Sequence, residues 1–587
     1  MEMNYRKSNN DTLFSNFIDV SLLNAESPQN YIPLYSRFFD LTLTNFNSIN
    51  LNNSQTLTEI IEKKSENKFL AKIKSNIDNS ISTKPIFFKL SPLLDPIKFL
   101  IGKYSNQNSL LTLPKIYSTN SHIKFVDTNN ASYVDGFFTY LTSMLLHKHN
   151  FVHGIDFYGS YLAIKNDYKI NIFDDIEYLQ DSKYFKSNNE KEVDNITFSL
   201  DNEYISDIIS SGSNSDRKKL NLIDYKSTDC SLTLSDISDL SALDGIFKSK
   251  DDSSGDVSLM YENITSNSDS KKSNTTCSSR SSDTDSESSR ESDTDEEEND
   301  KSDGEESGSD TSCDTESCTT SECSEDEELF VNISKFPIQI IALEQCERTL
   351  DSLLSNESLN DDELDSLVMQ IIMTLLTYQK VFDLTHNDLH TNNIMYVTTE
   401  EKYIYYKINN KHYRVPTFGR IYKIIDFGRA IYKYRGEIIC SDSFHPDGDA
   451  ATQYNCQPYF NEKKPLLLPN KSFDLCRLGC SIFDFIVDEL EENGEIEKIE
   501  DLQNINSTIK KIILNWCTDD KNRNIIYKKN GDERYPEFKL YKMISRTVHN
   551  HTPEKVLGNS HFNKYVIPFV SKKVNVHNID EYPILTN

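Results

Sequence analysis

Two short stretches carry side chains of the types that phosphoryl transfer needs: His386-Asn387-Asp388-Leu389-His390-Thr391-Asn392-Asn393 and, downstream, Ile425-Asp426-Phe427-Gly428. Moving a phosphoryl group from ATP takes one carboxylate to orient the accepting hydroxyl, plus hard oxygen ligands that hold magnesium across the nucleotide phosphates. Asp388, Asn393 and Asp426 are of the right types. Asp-Phe-Gly and His-x-Asp are each common combinations. The informative feature is the ordered pair, each member lying at the edge of an apolar strand pattern.

The surrounding pattern supplies elements to position these groups. Asn360-Asp361-Asp362 offers a helix cap, and Leu364, Leu367, Val368, Ile371, Ile372, Leu375 and Leu376 then recur at helical spacing. This predicts a core helix that delivers the chain to the first loop. Residues 394–397 and 422–425 read as short strands after the loop and before Asp426. Asp388 and Asp426 lie 38 positions apart, and residues 401–408 and 412–415 around Asn409-Asn410 predict an extended β-hairpin between them.

With these residues in place, the chain resembles the eukaryotic-type protein kinase superfamily, whose catalytic loop reads His-Arg-Asp-Leu-x-x-x-x-Asn and whose next strand ends in Asp-Phe-Gly. The resemblance implies an α+β, bilobal fold with a small β-rich N-lobe and a mostly helical C-lobe. It makes Asp388 the catalytic Asp that accepts the substrate proton, and Asn393 and Asp426 the Mg²⁺ ligands. It makes Lys89, which follows the apolar run 85–88, the lysine that pairs with the ATP phosphates; a snorkelling surface lysine is the alternative. The partner helix is predicted over residues 131–149, contains no Glu, and so offers Asp135 as the acid that positions Lys89. Residues 336–344 resemble the strand entering the kinase hinge, with Glu344, Gln345 and Cys346 presenting backbone groups to adenine. Asp474 resembles the buried Asp that organises the catalytic loop, with a simple helix cap as the alternative.

Departures from the family pattern bear on activity. Asn387 stands where regulated kinases carry Arg, which removes the usual cationic anchor for a phosphorylated activation loop. His390 replaces the Lys of Ser/Thr kinases, giving a loop form also used by small-molecule phosphotransferases. His390 admits two roles, a donor to a phosphate oxygen or a structural hydrogen bond. No Gly precedes Gly102, so the glycine-rich loop over the ATP phosphates is missing; residues 31–51 are the candidates for the first two strands, with Ser or Asn at the bend. The segment after Gly428 lacks Ala-Pro-Glu, and Thr452 and Tyr454 are its evident hydroxyls.

At 587 residues the chain exceeds one kinase domain. Residues 281–328 hold 21 Asp or Glu and 2 Lys or Arg, a net −19 of the formal −30. So much charge with so few apolar side chains predicts a disordered insertion. The expected organisation is an N-terminal extension over 1–84 with room for the first strands, N-lobe residues 85–165, an acidic Ser-rich insertion over 166–334, N-lobe end and hinge over 335–347, and the C-lobe over 348–587. The insertion reads either as a solvating spacer or as an interaction tail, one that mimics nucleic-acid charge or is phosphorylated on its Ser and Thr by an acid-preferring kinase, with this chain as one candidate. Cys313, Cys318 and Cys323 lack zinc-site spacing. No signal peptide or membrane span is indicated, and the acidity, pI about 4.8, argues against general nucleic-acid binding.

Heavy use of Asn, Ile, Lys, Ser and Tyr, with scarce Ala, Gly and Trp, suggests an A+T-rich genome. With the split lobe and the His-Asn-Asp-Leu-His loop, the chain resembles the serine/threonine kinases of giant DNA viruses of amoebae, which implies the host-cell cytoplasm or the virion as its location. The expected activity is transfer of the γ-phosphate of ATP, with Mg²⁺, to Ser or Thr hydroxyls of a protein substrate. A small-molecule phosphotransferase and a catalytically inactive kinase-fold scaffold are the alternatives.

Overall fold

Alternating apolar positions write the main sheet into the chain from residue 55 onward. In the computed structural model, which describes residues 2–104, 109–117, 119–189, 191, 196–200, 329–496, 501–502, 504–528, 531–571 and 574–587, the protein is a mixed α+β molecule. The sheet runs, edge to edge, Ala25–Gln29, Phe157–Asn171, Phe330–Glu344, Ile81–Pro92, Lys68–Ser75, Gln55–Lys63, with every neighbour antiparallel. Phe198–Leu200 pairs with the first half of Phe330–Glu344. Lys89 lies opposite Ile341, and Phe87 opposite Leu343.

Two faces of the Lys89 strand do different work. Ile86 and Phe88 point to one side, where Phe88 meets Phe69 at 4.8 Å and Phe17 of the N-terminal helix Asp11–Ile18 at 5.9 Å. Phe87 and Lys89 alternate to the other side, toward the helix Ala131–His149. That helix is capped by Asn130, whose side chain accepts from Ser132 N–H, and ends at Asn150 in the left-handed conformation (φ 52°). Gly136 sets how close it comes: a Cβ there would sit 2.3 Å from Gln339 Nε2 and 3.4 Å from Ile341 Cδ1.

Downstream, the predicted core helix is Asp361–Phe382, and its capping box is complete: Asn360 accepts from the Asp362 and Glu363 N–H groups while the Glu363 carboxylate accepts from Asn360 N–H. Ile394–Thr398 pairs with Arg420–Ile424. Tyr403–Ile408 and Lys411–Pro416 form the expected hairpin, closed by Asn409 and Asn410 at φ 50° and 59°, the positive values a two-residue turn requires. The Asp580 carboxylate accepts both turn amides, at 2.8 and 3.0 Å. Among the described residues no helix is long and apolar enough to cross a membrane.

Two expectations are corrected. Residues 31–51 do not build the first strands; they hold two 3₁₀ turns and the short strand Ile49–Leu51, and the hairpin before the Lys89 strand is Gln55–Lys63 with Lys68–Ser75. The sheet runs past residue 166 to Asn171 and resumes at Phe330, so the insertion is narrower than 166–334, and Lys183–Asn188 and Phe198–Leu200 add structure within it. Residues 166–171 alternate between half-buried and exposed, with Tyr168 and Ile170 on the half-buried face. The acidic stretch 281–328, with Cys313, Cys318 and Cys323, lies outside the described residues.

Gly136→Ala should cost ~1–3 kcal/mol, because the added methyl displaces buried Gln339 from its 2.7 Å bond to Ser160. The penalty should shrink when Gln339→Ala is made first. Urea unfolding of the two single variants and the double variant checks this, and additive costs would contradict the contact.

Candidate active site

Three elements converge on one ammonium group. Lys89 Nζ lies 2.6 Å from Asp135 Oδ2 and 2.8 Å from Asp426 Oδ1, joining the strand, the helix Ala131–His149 and the Asp-Phe-Gly turn. The other Asp135 oxygen accepts the Phe427 N–H at 2.8 Å, and Phe427 packs 4.5 Å from Phe138 on the same helix. Asp426 itself sits at φ 63°, a conformation costly for a residue other than Gly, and Gly428 N–H reaches back to its Oδ1 at 3.4 Å. The Asp135 side chain is 2 % exposed and that of Asp426 is 44 % exposed.

The two acids respond differently to this pairing. Burial pushes Asp135 up, opposed by Lys89 and reinforced by Asp426. Burial would push Asp426 up as well, but the Lys89 ammonium outweighs it and holds this carboxyl at about 2. Lys89, although buried, is raised by its two acidic neighbours. Two carboxylates thus share one cation, which leaves an excess of negative charge at the mouth of the cleft.

The catalytic-type loop is held by bonds to its own backbone. Asp474, fully buried near the start of the helix Phe473–Glu492, accepts His386 N–H at 3.0 Å and Asn387 N–H at 2.9 Å. It therefore organises the loop and does not merely cap its own helix, since the amides it accepts are on the loop. His386 Nε2 donates to Ile425 O at 2.9 Å while its Nδ1 accepts Asp388 N–H at 3.3 Å, tying the loop to the strand that leads into Asp426. Thr391 is fixed by its N–H to Ser481 Oγ and its hydroxyl to Asp351.

Within this frame Asn393 Nδ2 donates to Asp388 O at 2.8 Å and to His390 Nε2 at 3.1 Å. Both amide hydrogens are thereby directed inward, and the side-chain oxygen is the end left to accept or ligate. His390 positions Asn393; burial lowers its pKa, and its buried Nδ1 has no hydrogen-bond partner. Asp388 accepts the Tyr541 hydroxyl at 2.7 Å on Oδ1, and Arg429 lies 3.9 Å from Oδ2. Burial would raise Asp388, but Arg429, then His390 and Arg477, hold it below the ordinary carboxylate value. Each oxygen retains acceptor capacity beyond these contacts.

Asn393 and Asp426 each carry a side-chain oxygen of the hard type that Mg²⁺ takes. No group of three His, Cys, Asp or Glu side chains among the described residues is placed to hold a metal ion unaided.

Glu344 has a structural side chain. Its carboxylate pairs with Lys423, which also donates to Gly154 O at 2.9 Å, and accepts Asp156 N–H at 2.7 Å. The linker beyond is anchored at both ends, by Glu344 N–H to Asp156 O and by Glu347 N–H to Tyr396 O, each at 2.9 Å. Between these anchors lies Cys346, whose buried thiol is pushed up to about 12, so it is no nucleophile near neutral pH. Tyr454, expected as an accessible hydroxyl of the segment after Gly428, is buried and donates to Asn387 Oδ1 at 2.7 Å. Asn387 also donates to Thr385 O and Arg429 O, so a neutral amide network occupies the place of the missing Arg.

Tyr541, Arg429 and Arg477 escaped the sequence reading. Arg429 follows Asp-Phe-Gly directly, and that adjacency was the available signal. Tyr541 belongs to a buried helical stripe in the last tenth of the chain, and nothing local says which carboxylate its hydroxyl will meet.

No protein-family model matches the chain, and a search of curated proteins gave no match.

Replacing Lys89 by Met strands two carboxylates and should cost ~2–4 kcal/mol at pH 8. Asp426 is depressed in the intact protein, so its ion pair contributes above the unfolded carboxylate pKa and is lost only as pH falls toward about 2. In the variant the stranded acids take up protons at higher pH, so the deficit should narrow at pH 5.5. Urea unfolding at the two pH values tests this, and a deficit that widens on acidification would contradict it.

Proposed function

We propose that the chain is a protein kinase of bilobal, protein-kinase-like fold that transfers the γ-phosphate of ATP to Ser or Thr hydroxyls. The observation that carries this reading is Lys89 held between Asp135 and Asp426, beside a loop in which Asn393 is bonded to the backbone of Asp388. Support also comes from the sheet order and from the linker at Glu344, anchored on both sides of Cys346. Adenine would be read there by the Glu344 carbonyl and the Cys346 amide, with Phe87 on the strand opposite Leu343 and Met395 beside Thr349 as apolar walls.

In this mechanism Lys89 holds phosphate oxygens, Asn393 and Asp426 hold Mg²⁺, and Asp388 orients the incoming hydroxyl and takes its proton. When bound, the ion supplies positive charge that offsets the phosphate oxygens. Arg429 and Tyr541 keep Asp388 ionised and fix its rotamer, so the base is ready before substrate arrives. The buried network around Asp474 holds the loop against the strand leading into Asp426, keeping the base and the metal ligands in register.

One observation favours a second reading, a kinase fold without transfer activity. The turn between the first two strands is Lys64-Ser65-Glu66-Asn67, with no glycine and with Glu66 paired to Lys63 at 3.5 Å. A carboxylate over triphosphate is unfavourable. Incubation with Mg²⁺ and γ-labelled ATP, generic protein acceptors and small alcohols or amino sugars separates these readings. Label should enter protein, and Asp388→Asn should lower the rate by about 10²–10⁴-fold while retaining nucleotide binding. Label in small molecules would move the assignment to a small-molecule phosphotransferase, and equal rates in the two proteins would remove Asp388 from the mechanism.

A further inference from the structure

The chain that leaves Asp-Phe-Gly stays against the helix that carries Asp135, touching it at three places. Phe427 N–H binds Asp135 at the start. The hairpin of Ile431–Tyr434 with Glu437–Cys440 follows; from its first strand the buried Tyr432 hydroxyl donates to Val134 O at 2.9 Å, and its ring meets Phe138 at 4.7 Å. Ile431 also exchanges two backbone bonds with Thr385, at 2.9 and 3.0 Å, one residue before His386. Past the hairpin the chain turns at Asp442–Phe444, and Asp442 reaches the helix N-terminus. Its Oδ1 accepts Ala131 N–H at 2.9 Å, its Oδ2 accepts from Lys124 Nζ at 2.9 Å, and its own N–H donates to Asn129 O at 2.7 Å.

The fit at Asp442 has a physical reason on each side. Ala131 N–H is one of the first-turn amides that a helix cannot satisfy internally, and the Asn130 cap serves the next one, that of Ser132. A carboxylate placed there meets an orphan donor and the positive end of the helix dipole together. The Asp442 side chain is only 9 % exposed. Burial pushes its carboxyl up, while Lys124 and the Ala131 amide pull against that. Loss of Lys124 therefore strands a buried acid. Asp135 lies a little over one helical turn beyond Ala131, and a helix moves as a rigid rod over that distance.

We propose that Asp442, completed by Lys124, is a positioning residue for the transfer reaction: by fastening the first turn of the helix Ala131–His149 it holds Asp135 against Lys89, and so sets where Lys89 presents its ammonium to the ATP phosphates. The inference rests on the kinase reading and adds to it a residue that touches neither nucleotide nor acceptor. Its effect travels through one helical turn to one ion pair. The acceptor side of the cleft, around Asp388, is held by other bonds, to Tyr541 and Asn393, and lies outside that path.

The test compares the full-length protein with Asp442→Ala, Asp442→Asn and Lys124→Met. In transfer from Mg²⁺-ATP to a generic protein acceptor, Asp442→Ala should raise KM for ATP about fivefold and leave KM for the acceptor unchanged. A smaller folded fraction cuts the rate and moves neither constant. Asp442→Asn keeps an oxygen for Ala131 N–H and loses the charge, so it should fall between, and adding Lys124→Met to it should change KM for ATP little further. Hydrogen exchange without nucleotide gives a second readout: in Asp442→Ala, peptides covering 131–135 and 425–428 should exchange about tenfold faster while 141–149 keep their rate. Should Asp442→Ala not fold, Lys124→Met alone should show both changes at the size seen in Asp442→Asn. A KM for ATP that does not move, or faster exchange spread evenly over the chain, overturns the inference while leaving the kinase reading in place. Absence of transfer by the unmodified protein overturns the kinase reading, and the role of Asp442 in the reaction with it.

Discussion

The whole cleft depends on one ammonium ion having to satisfy two carboxylates from different parts of the chain. Lys89 enters on a strand, Asp135 on a helix and Asp426 on a turn, and the buried Asp135 carboxylate depends on the ammonium it meets there. Because Asp135 also accepts the Phe427 amide, the helix cannot swing away without stranding both a buried donor and a buried acid. That constraint turns an ion pair into a positional lock. It also sets two carboxylates against one cation.

A second lock works through backbone rather than charge. Asp474 binds two consecutive loop amides, His386 bridges the loop to Ile425, and Asn387 joins Thr385, Arg429 and Tyr454. An amide and a phenol thus hold the loop in place.

Much of this was legible before any coordinates. The helix over 131–149 was read at its observed bounds, because its apolar positions recur without interruption. Asp135 followed as the only acid within it, and Asp388, Asn393 and Asp426 were named from residue type and order. The first hairpin was missed although Lys68-Phe69-Leu70-Ala71-Lys72-Ile73-Lys74 alternates cleanly: attention to glycine drew the search to residues 31–51. The far end of the sheet was missed because only Tyr168 and Ile170 in Asn166 to Asn171 are apolar, and pairing with residues 330–335 shows the segment to be strand. Partners such as Tyr541 and Arg477 meet Asp388 through tertiary packing, which leaves no periodic trace in the chain.

The claim that this cleft takes a metal-bound triphosphate is tested most directly by calorimetric titration of ATP into the intact protein, with and without Mg²⁺, alongside Asp426→Asn. Binding should require the metal and should weaken at least tenfold in the variant, since Asp426 is one of the two oxygen donors proposed for the ion. Absence of binding under both conditions, or an affinity indifferent to Mg²⁺ and to Asp426, would contradict it.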